Sequence, residues 1–331
     1  MSGIDEEEVR ETVRSSGLFA RDRPLVAMIS GGRDSTCLLD VAVALLGAPV
    51  VGALHLNYGL REEAEREESW CRELCELLGV ELRVVTPAAA GAPPAPRGEE
   101  PGNLQAWARE LRYAEAERLA EERDALVATG HTASDQVETI LYRLAASPGR
   151  RALLGMPAAE GRLIRPLLAL TREQTAAYCR TRGLPFSEDA SNEDPRFART
   201  RVRHGLLPAL RAVHPAAERN VLRTAALLRE ETELLEAQLA AELEGRSRVE
   251  MARLREMPAA LARMVVVRLA EQAAGTYVPQ AGERVAELLE LARRGGRAEL
   301  HVGGRAGAVI EDGVLRMVRL PPRESPPPPG D

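Results

Sequence analysis

Four short apolar runs alternate with four helical patterns between residues 24 and 146, and this alternation constrains the fold more than any other feature. "PLVAMIS" (24–30) reads as a buried strand, and "VVGALHLN" (50–57), "VELRVVTP" (80–87) and "ALVATGH" (125–131) as three further strands. Helix signals run from Ser35 to Leu46, with Gly47 placed to end the helix. They recur in "LREEAEREESWCRELCELLG", "LQAWARELRYAEAERLAEERD" and "ASDQVETILYRLA". Repeated strand–helix units argue an α/β fold built on a doubly wound parallel sheet. Such sheets bind ligands beyond the C-terminal ends of their strands, near the point where strand order reverses. Three polar clusters, "SGGRDS", "HLNYGLR" and "GHTASDQVET", fall at those ends. Their coincidence says more than any one of them.

A chain of 331 residues exceeds what one core usually fills, and the pattern changes near residue 211. The segment "AAERNVLRTAALLREETELLEAQLAAELEG" is one long amphipathic helix, with further helices near 258–274 and 281–293. Short strands with Gly-containing turns follow in "RAELHVGGRAGAVIEDGVLRMVRL". The expectation is a mostly helical C-terminal domain over 211–320 and a Pro-rich disordered tail over 321–331. No stretch of about eighteen apolar residues suggests a membrane span, and "MSGIDEEEVR" is unlike a secretory leader. Cys37, Cys71, Cys75 and Cys179 show neither zinc spacing nor a disulfide framework. A cytoplasmic protein with reduced, buried thiols is expected.

The first polar cluster lies in "VAMISGGRDSTCLLD" (26–40). Consecutive N–H groups around Gly31 and Gly32, leading into a helix start, form an anion nest to which Ser30 and Ser35 add hydroxyls. Asp34 would repel a bare phosphate, and makes sense there if Mg²⁺ lies between the two. Glycines also tighten ordinary strand–helix turns, but the strand before and the helix after favour a phosphate site. All 44 cationic residues are arginines, so a Walker loop, which needs lysine, is excluded.

Ser-Gly-Gly-x-Asp-Ser after a first strand resembles the pyrophosphate loop of the N-type ATP pyrophosphatases, the PP-loop family with its Rossmann-like fold. That resemblance implies attack at the α-phosphate of ATP, an adenylated intermediate and released pyrophosphate. "WARELRY", "LLGMP", "LIRPLL" and "EDASNEDPRFARTRVRHGLLPAL" extend it, with the clusters above, to the tRNA(Ile)-lysidine synthases. It implies a ligase with ATP and Mg²⁺ as cofactors, and as substrates free L-lysine and tRNA(Ile) bearing a CAU anticodon. The implied layout is a catalytic PP-loop domain over 1–210 and a tRNA-binding domain over 211–320. The sequence leaves a homodimer open.

The same resemblance places Ser30, Gly31, Gly32, Arg33, Asp34, Ser35, His55 and His131 around ATP, with Asp34 also toward Mg²⁺. It gives Asp34 a catalytic role as well, makes Asp135 and Glu138 the catalytic acids that handle lysine, Arg112 and Arg203 catalytic cations, and Arg109, Arg199 and Arg201 contacts to substrate or tRNA. Residue chemistry agrees in part. Asp135 and Glu138, three apart at a helix start, face one way, which suits holding or deprotonating an ammonium. Acids there also simply complement the helix dipole. Arg109 and Arg112 share a helix face and can grip phosphate, or pair with Glu110, Glu115 and Glu117. From Arg196 to Arg223 seven arginines meet one acid, Glu218. This local excess offsets the net charge of −6 as an objection to a tRNA partner. Asp189, Ser191 and Asn192 resemble a structural turn of the family. The chain departs from the family at Tyr58, Ser134, Ala146–Gly149 and Thr200. Two other readings remain: tRNA thiolation on the same loop, for which no C-x-x-C pair exists, and a non-catalytic nucleotide-binding module.

Overall fold

The computed structural model describes residues 6–20, 22–59, 64–93, 101–146, 149–187 and 197–321. The expected turn at Asp189, Ser191 and Asn192, the departures at Ser147 and Pro148, and the tail beyond 321 lie outside the described residues. The chain forms two compact units, Met1–Leu228 and Arg229–Asp331.

The first unit opens with α1 (Glu6–Ser15), β1 (Leu25–Met28), α2 (Arg33–Leu46), β2 (Val51–Leu56), α3 (Ala64–Leu78) and β3 (Glu81–Val85). It continues through α4 (Pro101–Arg123), β4 (Leu126–Thr129), α5 (Ala133–Ala146), α6 (Arg150–Leu153), β5 (Ala159–Glu160), β6 (Leu163–Ile164) and α7 (Arg172–Thr181). After α8 (Ala198–Arg201), a π-helical turn over Val202–Leu206 leads into α9 (Leu207–Val213) and α10 (Ala217–Leu243), within which the two units divide. The sheet order is β3-β2-β1-β4-β6-β5, parallel except for β5 against β6. Leu25 of β1 registers with Val51 on one side and Leu126 on the other. Chain order therefore reverses between β1 and β4, and the crevice beyond their C-terminal ends is the switch point where such sheets take ligands.

Both faces of the sheet are covered. Leu25, Ala27 and Ile29 pack in one core with Val9 and Val13 of α1, Leu38 and Leu39 of α2 and Tyr178 of α7. Val26 and Met28 pack in the other with Leu119 and Ala120 of α4. Alternate residues of β1 thus serve opposite cores, which is why this strand reads as an unbroken apolar run. The two-residue strands β5 and β6 were not expected from the sequence, being too short to show periodicity.

Two local features fix the helices that reach the crevice. A Cβ on Gly130, just after β4, would lie 3.0 Å from the carbonyl carbon and oxygen of Asp34 and 3.1 Å from the Ser35 nitrogen. Only glycine lets the β4 exit approach the start of α2 this closely. Gly130→Ala is expected to lower stability by about 1–3 kcal/mol through overpacking, read as a shift in the urea unfolding midpoint. An unshifted midpoint would mean that α2 yields without cost. On the far side of α2, Asp40 is 2% exposed. It accepts from Tyr178 Oη at 2.6 Å and from Arg182 Nε and Nη2, both at 3.1 Å. Asp40→Ala leaves two donors stranded and should cost about 2–3 kcal/mol, since Arg182 keeps part of its hydration; chemical denaturation measures it.

The second unit contains β7 (Arg248–Glu250), α11 (Met251–Glu256), α12 (Ala259–Ala274), α13 (Val285–Arg294), β8 (Ala298–Gly303), β9 (Ala306–Glu311) and β10 (Val314–Arg319). Its strands form an antiparallel sheet in the order β7-β10-β9-β8. Val265, Val266 and Leu269 of α12 pack with Leu288, Ile310 and Leu315. The helices and the glycine-separated strands follow the sequence expectation, and β7 was not foreseen.

Candidate active site

Three helices begin at the crevice. At α2 the loop turns through Gly31, whose φ of +78° only glycine adopts without strain. Ser35 Oγ donates to the Gly32 carbonyl at 2.9 Å and accepts from the Ser30 N–H at 3.1 Å, so one hydroxyl closes the loop. Gly32 caps α2 with no side-chain bond, which leaves first-turn N–H groups for an anion. Ser187 donates to the Gly31 carbonyl at 2.9 Å and braces the loop from the chain after α7.

At α5, Thr132 and Asp135 cap reciprocally: Asp135 Oδ2 accepts from the Thr132 N–H at 2.8 Å and from Oγ1 at 2.7 Å. At α7, Thr171 and Gln174 form a full capping box. The two starts are tied together, Ala133 N donating to Leu170 O at 2.7 Å and Arg172 N to Ser134 Oγ at 3.3 Å. Ser134, a departure from the family pattern, is thus the acceptor that seats Arg172.

Arg172 is the centre of the arrangement, and sequence reasoning missed it. Its Nη1 donates to Glu138 Oε1 at 2.7 Å, its Nη2 donates to Asp135 Oδ1, and its Nε lies 3.8 Å from Asp34 Oδ2. Arg203, on the π-helical turn, grips Glu138 in bidentate fashion, Nε to Oε1 at 2.8 Å and Nη2 to Oε2 at 3.0 Å. Thr175 Oγ1 donates to Asp34 Oδ1. Asp34, Asp135, Glu138 and Arg203 therefore converge from elements far apart in sequence. The side chain of Glu138 is 3% exposed, those of Asp34 and Asp135 about a fifth.

The carboxylates differ in charge behaviour. Burial, then the nearness of Asp135, pushes the Asp34 carboxyl up to about 6 against the pull of its Thr175 bond and Arg172. Asp135 is also penalised by burial, but Arg172 and the two Thr132 bonds outweigh this and hold it below the usual range. His131 accepts or donates through Nδ1 to Thr129 Oγ1 at 2.8 Å, and burial carries it down to about 4, so it is neutral at pH 7. His55 is buried, its pKa lowered chiefly by desolvation. Its Nδ1 lies 3.1 Å from Ile29 O, and its Nε2 has no partner among the described residues.

Arg109 and Arg112 lie on α4, and Arg199 and Arg201 on α8. Arg112 is exposed on α4, and among the described residues no bond joins it to the three carboxylates. Arg109 stacks over Tyr113 at 4.8 Å, and its charge, with those of Arg165 and Arg199, bears on His131. Arg199 and Arg201 are exposed on α8. Tyr58, another departure, donates to Ala108 O at 2.8 Å and stacks obliquely on Trp107, pinning α4 to the end of β2. All four cysteines are buried, and burial lifts Cys71 and Cys75 to about 12, so neither is an accessible thiolate.

A glycine-rich loop at the switch point of a parallel sheet is what the comparisons also find: the PP-loop domain family matches residues 3–210, and the chain belongs to that family. Among curated relatives, a Thermus thermophilus protein named tRNA(Ile)-lysidine synthase is 40% identical over 93% of this chain and 59% of its own length. One of the same name from Nostoc is 34% identical over 69% of this chain and 66% of its own. The chain thus spans somewhat less than two thirds of these relatives. A solved U34-tRNA thiolase from Methanococcus maripaludis shares the fold, with a TM-score of 0.57 and 17% identity over 67% of this chain and 79% of its own. No helix among the described residues is long and apolar enough to cross a membrane.

Proposed function

We propose that this chain is an ATP-dependent ligase that joins L-lysine to the wobble cytidine of a tRNA(Ile) bearing a CAU anticodon, releasing AMP and pyrophosphate. The convergence of Asp34, Asp135, Glu138 and Arg203 beside an uncapped helix start carries the reading. The lysidine synthases among its relatives supply the substrates. The loop from Ser30 to Ser35 suits the phosphates of ATP, with the first-turn N–H groups of α2 facing them. A single carboxylate at Asp34 fits Mg²⁺, which takes one or two carboxylates and completes its shell with phosphate and water. When bound there, Mg²⁺ supplies positive charge against the phosphates.

The chain's own residues divide the remaining work. Asp135, held below the usual carboxylate range, is a poor base for an ammonium and a good ion-pair partner, so recognition is its role and not deprotonation. Arg203, aimed by Glu138, supplies a fixed cation for charge that develops on oxygen during adenylation and as AMP then leaves when the amine attacks. Neutral His131 offers a hydrogen bond without adding charge. Arg109, Arg199 and Arg201 serve the RNA, and the second unit serves tRNA binding; the Thermus relative aligns through it.

The test is incorporation of labelled lysine into unmodified tRNA(Ile) transcripts with a CAU anticodon, in the presence of ATP and Mg²⁺, with a methionine tRNA as control. Incorporation confined to the isoleucine tRNA, with AMP and pyrophosphate released in equal amounts, is expected. Tight binding of ATP and tRNA without incorporation would sink the ligase reading.

A further inference from the structure

The acids that should receive an amine are already occupied. Glu138 Oε1 accepts from Arg172 and Arg203, and Oε2 from Arg203. Asp135 Oδ2 accepts twice from Thr132, and Oδ1 accepts from Arg172. With each carboxylate offering about four lone-pair directions, three of them taken and little solvent access, an entering ammonium meets the Arg172 guanidinium in its place. The two arginines are not equivalent. Among the described residues Arg203 pairs with Glu138 alone and neutralises it independently, whereas Arg172 divides itself among three acids on two helices. Its link to Asp34 is the long one, at 3.8 Å, so a shift toward Asp34 frees Asp135 without leaving Glu138 unpaired.

We propose that Arg172 is an internal occupant of the amine site: a primary ammonium displaces its guanidinium from Asp135, while Arg203 keeps Glu138 neutralised. The ligand class is a primary amine; that the amine is lysine rests on the function proposed above. Arg172 then sets how strongly an amine must compete to enter, and acts as a positioning and selectivity residue.

Titration calorimetry of the full chain with L-lysine and with methylammonium chloride, at matched ionic strength, tests this on wild type, Arg172→Gln and Arg172→Lys. Arg172→Gln should bind lysine about tenfold more tightly, about 1.4 kcal/mol, and should bind methylammonium measurably. Arg172→Lys reaches one acid at a time and should tighten lysine by about two- to threefold, about 0.4–0.7 kcal/mol. A folded Arg172→Gln protein that binds both ligands no better than wild type overturns the proposal, because a purely structural arginine would weaken binding when lost. Should Arg172→Gln fail to fold, unchanged or weaker lysine binding by Arg172→Lys overturns it in the same way. Tighter methylammonium without tighter lysine upholds the displacement and removes lysine as the amine.

Discussion

Asp34→Asn is expected to abolish ATP turnover and yet make the folded protein more stable at neutral pH. Burial raises the Asp34 carboxyl from 3.8 to about 6, so folding favours its protonated form. For a group raised in this direction, the favourable contribution is present below the unfolded value and lost as pH climbs through the folded one. Above pH 6 the wild type therefore carries a partly desolvated anion. The gap corresponds to about 3 kcal/mol for a dry site. With the side chain 22% exposed, about 2 kcal/mol is a better figure. Asparagine keeps an oxygen for the Thr175 hydroxyl and carries no charge. The stability difference between variant and wild type should be near zero at pH 4, grow between 4 and 6 and level off above 7. Urea denaturation at three pH values measures it. A variant that is less stable at pH 7.5, or a difference that ignores pH, would show that Arg172 fully compensates Asp34. The expected result would place this carboxylate where function, and not stability, keeps it.

The central strands β1, β2 and β4 were legible because they are largely buried. Leu25 to Met28 must satisfy two cores at once, which keeps that run apolar. Glycine at 31 and 32 then marks the loop, and the acids at 135 and 138 mark a helix start at a second strand end. What could not be read is what lies between elements. Arg172 sits in "LALTREQTAAY", where the readable signal, Thr171 with Gln174, announces only a capped helix. Its partners are 34 and 37 positions away on α5, and nothing local ties an arginine to acids at that distance. The expectation for Glu138 was also incomplete for a physical reason. Three-residue spacing shows that two carboxylates share a face, not that one is sealed beneath two guanidinium groups. Tyr58 and Ser134 looked like losses against the family pattern. In the fold each supplies a bond, to Ala108 and to Arg172, because a side chain of different chemistry can hold the same two elements together.

Glu138→Gln is expected to lower lysine transfer by at least about 100-fold and stability by about 2–4 kcal/mol, with little change in lysine affinity. The glutamine keeps one acceptor oxygen but no charge, so the bidentate grip on Arg203 is lost and Arg172 keeps only Asp135 and the distant Asp34. An arginine released from a partner that is 3% exposed loses its aim as well as its ion pair, and the error falls on the reacting atoms. Asp135→Asn should behave in the opposite sense, weakening lysine binding more than the rate, because Asp135 is the acid left to meet the ammonium. A double-mutant cycle with Arg203→Met separates the two accounts. If Glu138 acts through Arg203, the double variant is less destabilised than the sum of the single ones, by about 1–3 kcal/mol, and is no slower than Glu138→Gln alone. If Glu138 instead faces the amine, its loss raises the lysine KM, leaves stability nearly unchanged and adds in full to the loss of Arg203. The buried bidentate geometry favours the first account, since an acid gripped by two guanidinium groups has little left to offer a ligand.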